Sequence, residues 1–220
     1  MLDGNSFNKM KNKENPIKNE HRSDRKIEQA EKSDIEEILG VQEQHLIDHE
    51  ILHGKDIPSE TVKKYSSSGF LVYSFTSEEL SDIIDNENVM LLVEKNNNQV
   101  SAYVAVYDLQ EWLKQKPDWY EKIDFNNDEV KSFITENKMT YLRHAARRTN
   151  VDSDMYSLVQ DLLNKSQKRG AKGCVGEILK KPIPNKISKE FFTKSAGFED
   201  AGDISDGNLL WDLVLKRIDK

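Results

Sequence analysis

The 220-residue chain is 36% hydrophobic and 32% charged, and carries a formal charge of −7. The acidic balance speaks against non-specific nucleic-acid binding, which needs a basic face, and no apolar run approaches the roughly 20 residues of a membrane span. The single cysteine, Cys174, excludes an internal disulfide framework and fits a reducing compartment, so a cytoplasmic protein of one domain plus a tail is expected.

Residues 1–25 are rich in Asn, Lys, Glu and Ser and read as a disordered N-terminal tail. From Ile27 to Ala30 a short strand is predicted. Ser33 can cap the helix that follows, in which Ile35, Ile38, Leu39, Gln42, Leu46 and Ile47 keep helical spacing. His45, His49 and His53 recur every fourth residue along it. The outer two would stand about 12 Å apart at 1.5 Å per residue, so all three cannot meet one ion; a solvated face is preferred and no metal is assigned. Residues 54–68 are polar and turn-like. Residues 77–84 then read as a helix with capping-box character.

Two β-rich runs, 89–94 and 100–107, flank Asn96, Asn97 and Asn98 and predict a hairpin. Residues 108–137 are polar but hold Trp112, Trp119, Tyr120, Phe125 and Phe133, with a helix before Pro117 and another over 128–133. Residues 139–147 form the next strand. Asp152 or Ser153 caps a helix whose apolar face carries Leu158, Val159, Leu162 and Leu163, and which Gly170 ends. The following strand, 173–179, buries Cys174, read as inert core rather than nucleophile. Pro184 closes that strand, Asn185 caps a helix with Ile187, Phe191 and Phe192 on its apolar stripe, and Gly197 supplies a left-handed stop. A final hairpin covers residues 199–218, with Trp211, Leu213 and Leu215 alternating. Strands and helices in this order need a mixed sheet with helices on both faces.

The C-terminal run Pro184-Asn185-x-x-Ser188-x-x-Phe191, followed by Gly197-Phe198 and Gly202, resembles the last helix and its exit in the Gcn5-related N-acetyltransferase (GNAT) superfamily. The element order from Ile27 onward is similar to that fold as well. The resemblance implies an α/β (α+β) domain over residues 26–220, with a mixed, mostly antiparallel central sheet flanked by helices. Residues 108–137 would then be an insertion, either covering the acceptor site or packing its own aromatics. It also implies acetyl-CoA as co-substrate and an amine of a small molecule or peptide as acceptor. The pantetheine arm would pair with a strand splayed from its neighbour, at Ala145, Ala146 and Arg147. Arg147, Arg148 and the backbone of Asp154, Met155, Tyr156 and Ser157 would meet the diphosphate, and Asn185 and Ser188 would flank the arm.

Against the family pattern Gln/Arg-x-x-Gly-x-Gly/Ala the chain has no glycine in this loop. The glycine positions fall on Ser157 and Val159, or on Met155 and Ser157, and an aspartate takes the Gln/Arg position. Side chains then crowd a place where backbone must approach phosphate. The family's tyrosine acid falls on Phe192, which holds no proton to give; Tyr141 and Tyr156 are nearby. His144 is the preferred base, with Glu94 and Glu177 as alternatives. The missing glycines also suit a binding or regulatory protein that kept the fold and lost the chemistry, and the aromatic insertion suits a partner-binding domain. A homodimer formed by exchange of the final hairpin stays open.

Overall fold

Asn97 and Asn98 take positive φ, 52° and 64°, the conformation that a two-residue hairpin turn requires and that Asn tolerates. They join β2 (Val89–Asn96) to β3 (Gln99–Asp108) as an antiparallel pair. The computed structural model describes residues 25–54 and 56–218. The expected tail therefore lies outside the described residues except for Arg25. The remaining strands are β1 (Arg25–Gln29), β4 (Ile123–Phe125), β5 (Met139–Arg147), β6 (Gly173–Lys181), β7 (Glu199–Asp206) and β8 (Leu209–Arg217). Together they make one 8-stranded sheet in the order β1-β2-β3-β5-β6-β8-β7-β4. Every neighbouring pair is antiparallel except β5 and β6.

Both faces of the sheet are covered, which explains why β2 and β3 read as almost unbroken apolar runs. Leu91, Val93, Tyr103, Ala105 and Tyr107 point to one core, closed by α1 (Ile35–Glu43) and α4 (Ser77–Asp85). Met90, Leu92, Val104 and Val106 point to the other, closed by Leu158, Val159, Leu162 and Leu163. Those four leucines and valines lie on α7 (Met155–Lys168), at helical spacing.

Two stretches differ from the sequence expectation, and the insertion adds a 3-10 turn and a short strand to the two helices expected there. α1 stops at Glu43 rather than running to Ile47, because the chain there turns into a bridge: Leu71 N–H donates to His45 O (2.9 Å) and Ile47 N–H to Leu71 O (3.0 Å). The polar stretch after Gly54 is not all turn. It contains α3 (Ser59–Ser68), preceded by the short α2 (His49–His53). Only Val62 and Tyr65 of α3 pack on the core, too brief a stripe to stand out in a serine-rich sequence. The insertion supplies α5 (Leu109–Gln115), a 3-10 turn over Trp119–Lys122, the strand β4 and α6 (Asp128–Glu136). It buries Trp112 and Trp119.

The C-terminal motif forms a short helix, α8 (Lys186–Glu190), extended by a π-helical turn over Phe191–Ser195, and Gly197 ends it at φ 71°. Among the described residues no helix is long and apolar enough to cross a membrane.

β4 adds to the sheet edge by pairing Phe125 with Gly202. Gly202 has φ 145°, and a Cβ there would run into the backbone of Asp124. Gly202→Ala is therefore expected to lower stability by about 1–3 kcal/mol, the usual cost of forcing extra volume into packed structure, read as a lower urea midpoint with unchanged slope.

Candidate active site

The parallel ladder between β5 and β6 is short. It runs from Met139 opposite Gly173 to Leu142 opposite Gly176 and then ends. Beyond that point β5 stays bonded to β3 as far as Arg147, while β6 stays bonded to β8 as far as Lys181. Each strand follows its other neighbour, so the sheet opens. A groove of about 340 Å³ lies on one side of the opening and a cavity of about 210 Å³ on the other. Phe70, Leu71, Ala145, Ser188 and Phe192 line both, so the two spaces meet at the splay.

A bulge sets which side chains face the cavity. On β3, Ala105 opposes His144 and Val106 opposes Leu142, leaving Arg143 as the extra residue of β5. Such an insertion re-aims the strand's side chains. Strict alternation would send His144 with Leu142 into the second core. Instead its ring packs on Phe75, centroids 4.2 Å apart, and Nδ1 lies 3.3 Å from the Tyr103 hydroxyl. Burial drives the His144 pKa down to about 3, so the imidazole is neutral at pH 7.

The groove ends at the start of α7. Asp154 caps that helix, its carboxylate accepting from Ser157 N–H (3.0 Å) and Ser157 Oγ (2.7 Å). The bonds from Ser157 hold its pKa below the usual carboxylate value. The N–H of Asp154 donates to Glu94 Oε2 at 2.8 Å, and the other Glu94 oxygen accepts from Ser101 Oγ at 2.6 Å. Asp152 is ion-paired with Arg25. Arg148 is turned away: Nε donates to Val100 O (3.1 Å), and the guanidinium lies 3.5 Å from Glu37. Ser153, Met155 and Tyr156 line the groove, and the buried Ser153 Oγ has no hydrogen-bond partner.

The cavity is aromatic. Trp112 stacks on Tyr141 with centroids 4.4 Å apart, Trp119 meets Tyr141 edge-on at 5.9 Å, and Tyr73 stacks on Trp211 at 6.1 Å. Glu177 sits among them. Trp119 Nε1 donates to its Oε1 at 2.5 Å, and the Tyr141 hydroxyl stands beside it. Burial pushes the Glu177 pKa up, outweighing these contacts, and pushes that of Tyr141 well above 10.0. Arg143 lies over Phe75, Trp112 and Tyr107 at 4.9, 5.3 and 5.7 Å from the ring centroids.

Of the residues expected at the site, Ala145, Ala146, Arg147, Asp154, Met155, Tyr156 and Ser188 line the groove, while His144, Tyr141, Ala145, Asn185 and Ser188 line the cavity. Ser157 and Arg148 line neither; Ser157 is engaged by Asp154 and Arg148 by β3 and α1. Asn185 is buried, caps α8 at Ser188 N–H and donates to Phe70 O (2.8 Å), tying the helix start to the cavity wall. Arg143 and Tyr73 were not singled out by the sequence, although an arginine inside an otherwise apolar strand is a usable signal. Cys174 is fully buried, its pKa pushed up to about 12 by that burial. His45 lies outside the helix holding His49 and His53, and its Nε2 donates to Arg147 O at 2.6 Å. Among the described residues no group of His, Cys, Asp or Glu gathers to hold a metal.

No protein-family model matches the sequence, and no curated protein matches it. Solved structures do match the fold. An N-acetyltransferase from Staphylococcus aureus Mu50 is similar with a TM-score of 0.56 and 13% identity, over 90% of this chain and 100% of that one. The PaiA N-acetyltransferase of Thermoplasma acidophilum, solved in complex with coenzyme A, gives 0.52 and 12%, over 88% and 98%. A GNAT-family acetyltransferase from Streptococcus pneumoniae gives 0.51 and 15%, over 89% and 99%. At these identities the likeness establishes architecture: the chain has the GNAT fold.

Protonation of Glu177 must alter the indole that donates to it. Trp fluorescence is therefore expected to titrate with a midpoint above the ordinary 4.5, and Glu177→Gln should abolish that step. The folded chain holds this proton more tightly than the unfolded one. The carboxyl's contribution to stability is thus greatest below its unfolded pKa and falls as pH rises through the raised folded value; Glu177→Gln should remove that part of the pH dependence of unfolding.

Proposed function

We propose that this chain is an N-acyltransferase that takes an acetyl group from acetyl-CoA and passes it to an amine of a small molecule or peptide. The observation that carries this reading is the opening between β5 and β6, where a groove and an aromatic cavity meet and the cavity ends on Glu177. Past Leu142 one edge of β5 is released from its parallel partner. Its amide groups suit the amides of a pantetheine arm, because unpaired strand edges recruit extended partners. Ala145 and Ala146 leave room beside that edge, while the Arg147 carbonyl is already held by His45.

Glu177 takes the proton from the acceptor's ammonium. A carboxyl whose pKa is raised by burial is a stronger base than a free one. Its donor, Trp119, fixes its orientation. Tyr141 keeps its phenolic proton and stands beside Glu177, so it can return a proton to the departing thiolate; Phe192 has none to give. His144, neutral and packed on Phe75, serves as cavity wall, so the base role expected of it passes to Glu177.

The diphosphate end fits less well. The amides of Asp154 and Ser157 already donate to carboxylates, and Asp152 and Asp154 place negative charge where the ligand brings more. This favours a second reading, a GNAT-fold protein that binds a ligand in the cavity without CoA chemistry. Calorimetric titration separates the two. Wild-type protein is expected to bind acetyl-CoA, and Asp154→Asn, which keeps the helix cap but removes its charge, to bind about tenfold tighter, a gain of about 1.4 kcal/mol. Glu177→Gln should leave that binding unchanged and lower the transfer rate about 10²–10⁴-fold. Absence of heat or thermal shift at millimolar acetyl-CoA in both wild type and Asp154→Asn supports the second reading instead.

A further inference from the structure

Among the charged side chains that line the aromatic cavity, Arg143 and Glu177 are of opposite sign and neither is in an ion pair among the described residues; Lys116 also lines the space, and its charge offsets part of the rise in the Glu177 pKa. Glu177 accepts from the Trp119 indole. Arg143 has no carboxylate within ion-pairing range, and its only hydrogen bonds are long ones from Nη1, 3.5 Å to Tyr107 Oη and 3.4 Å to Gln115 Oε1. A guanidinium offers five N–H donors in a planar fork that matches a carboxylate. Here its faces are covered by Phe75, Trp112 and Tyr107, leaving the donor edge for a ligand. The other carboxylates lining the cavity, Asp118 and Asp206, are both paired with Lys122 at 3.0 Å.

The two charges are neighbours by topology. The last ladder pair of the splay is Leu142 with Gly176, so Arg143 and Glu177 are the next residue on each strand, and both line the cavity. At about 210 Å³ the space is smaller than the roughly 300–1,000 Å³ of drug-sized sites, which suits a compact ligand.

We propose that the cavity takes a small zwitterionic amino carboxylate with an apolar or aromatic side chain. Its carboxylate meets the Arg143 fork, its ammonium meets Glu177, and its side chain lies against the walls formed by Trp119, Tyr73 and Trp211. The ligand's own two charges supply the partners that both protein groups lack, which a plain amine cannot do. This deepens the acyl-acceptor reading and rests on it only for the fate of the bound amine.

The test uses the full chain and three probes of one shape: L-phenylalanine, phenethylamine without the carboxylate, and 3-phenylpropionate without the amine. Calorimetry without acetyl-CoA is expected to show L-phenylalanine binding at least tenfold tighter than either. Arg143→Gln should erase its advantage over phenethylamine, and Glu177→Gln its advantage over 3-phenylpropionate, with folding checked by thermal melting. The wild-type ratios decide the matter even where a variant fails to fold. Equal or tighter binding of phenethylamine, or no binding of any probe, overturns the proposal. Transfer is assayed separately with acetyl-CoA. Selective binding of L-phenylalanine without acetylation sinks the transferase reading and leaves the zwitterion site standing; acetylation of phenethylamine in preference does the reverse.

Discussion

The early end of the parallel ladder between β5 and β6 is the constraint from which the rest of the site follows. Up to Leu142 and Gly176 the two strands satisfy each other's backbone groups. Past that pair, β5 is held by β3 and β6 by β8, and these antiparallel partners diverge. Buried backbone polar groups are rarely left unpaired, so an opening of this kind persists only where solvent or a ligand reaches it. Groove and cavity are the two sides of that opening. Asn185 reinforces it by bonding α8 to Phe70, which fixes the segment common to both spaces.

The bulge at Arg143 gives the cavity its chemistry. One extra residue on β5 brings Tyr141, Arg143 and His144 to the same side of the sheet, where a regular strand would divide them. The insertion closes the space. Trp112 stacks on Tyr141, Trp119 reaches Glu177, and β4 anchors the segment to the sheet edge through β7. Burial raises the Glu177 pKa beneath Trp119 and depresses that of His144 against Phe75 for one reason: a low-dielectric surrounding disfavours the charged form of each.

The two ends of the site differ in charge economy. At the start of α7, Asp154 and Glu94 consume amides that would otherwise face a ligand, so the helix terminus is satisfied from within. In the cavity the reverse holds for Arg143 and Glu177, which stand without an ion-pair partner among the described residues. The glycine-free loop was visible in the sequence; the cap was expected at Asp152 or Ser153 and falls instead on Asp154, the residue next to the first helical turn. That Glu94, distant in sequence on β2, would take the Asp154 amide was not visible, because the bond exists only once β2 and the loop are packed together.

The sequence by itself determined the hairpin at Asn97 and Asn98, the amphipathic α7, the capped C-terminal helix with its Gly197 stop, and the alternating last strand. Each of these rests on local preference: positive φ at Asn and Gly, capping side chains, and apolar spacing at the period of the element. α3 was missed because its stripe is two residues long, and β4 because a three-residue strand needs its partner to exist. Only the tertiary structure decided where β5 parts from β6, that Arg143 is the bulged residue, that His144 is neutral, and that Glu177 meets Trp119. Those are matters of register and burial between residues far apart in the chain, and no pattern within a single segment encodes them.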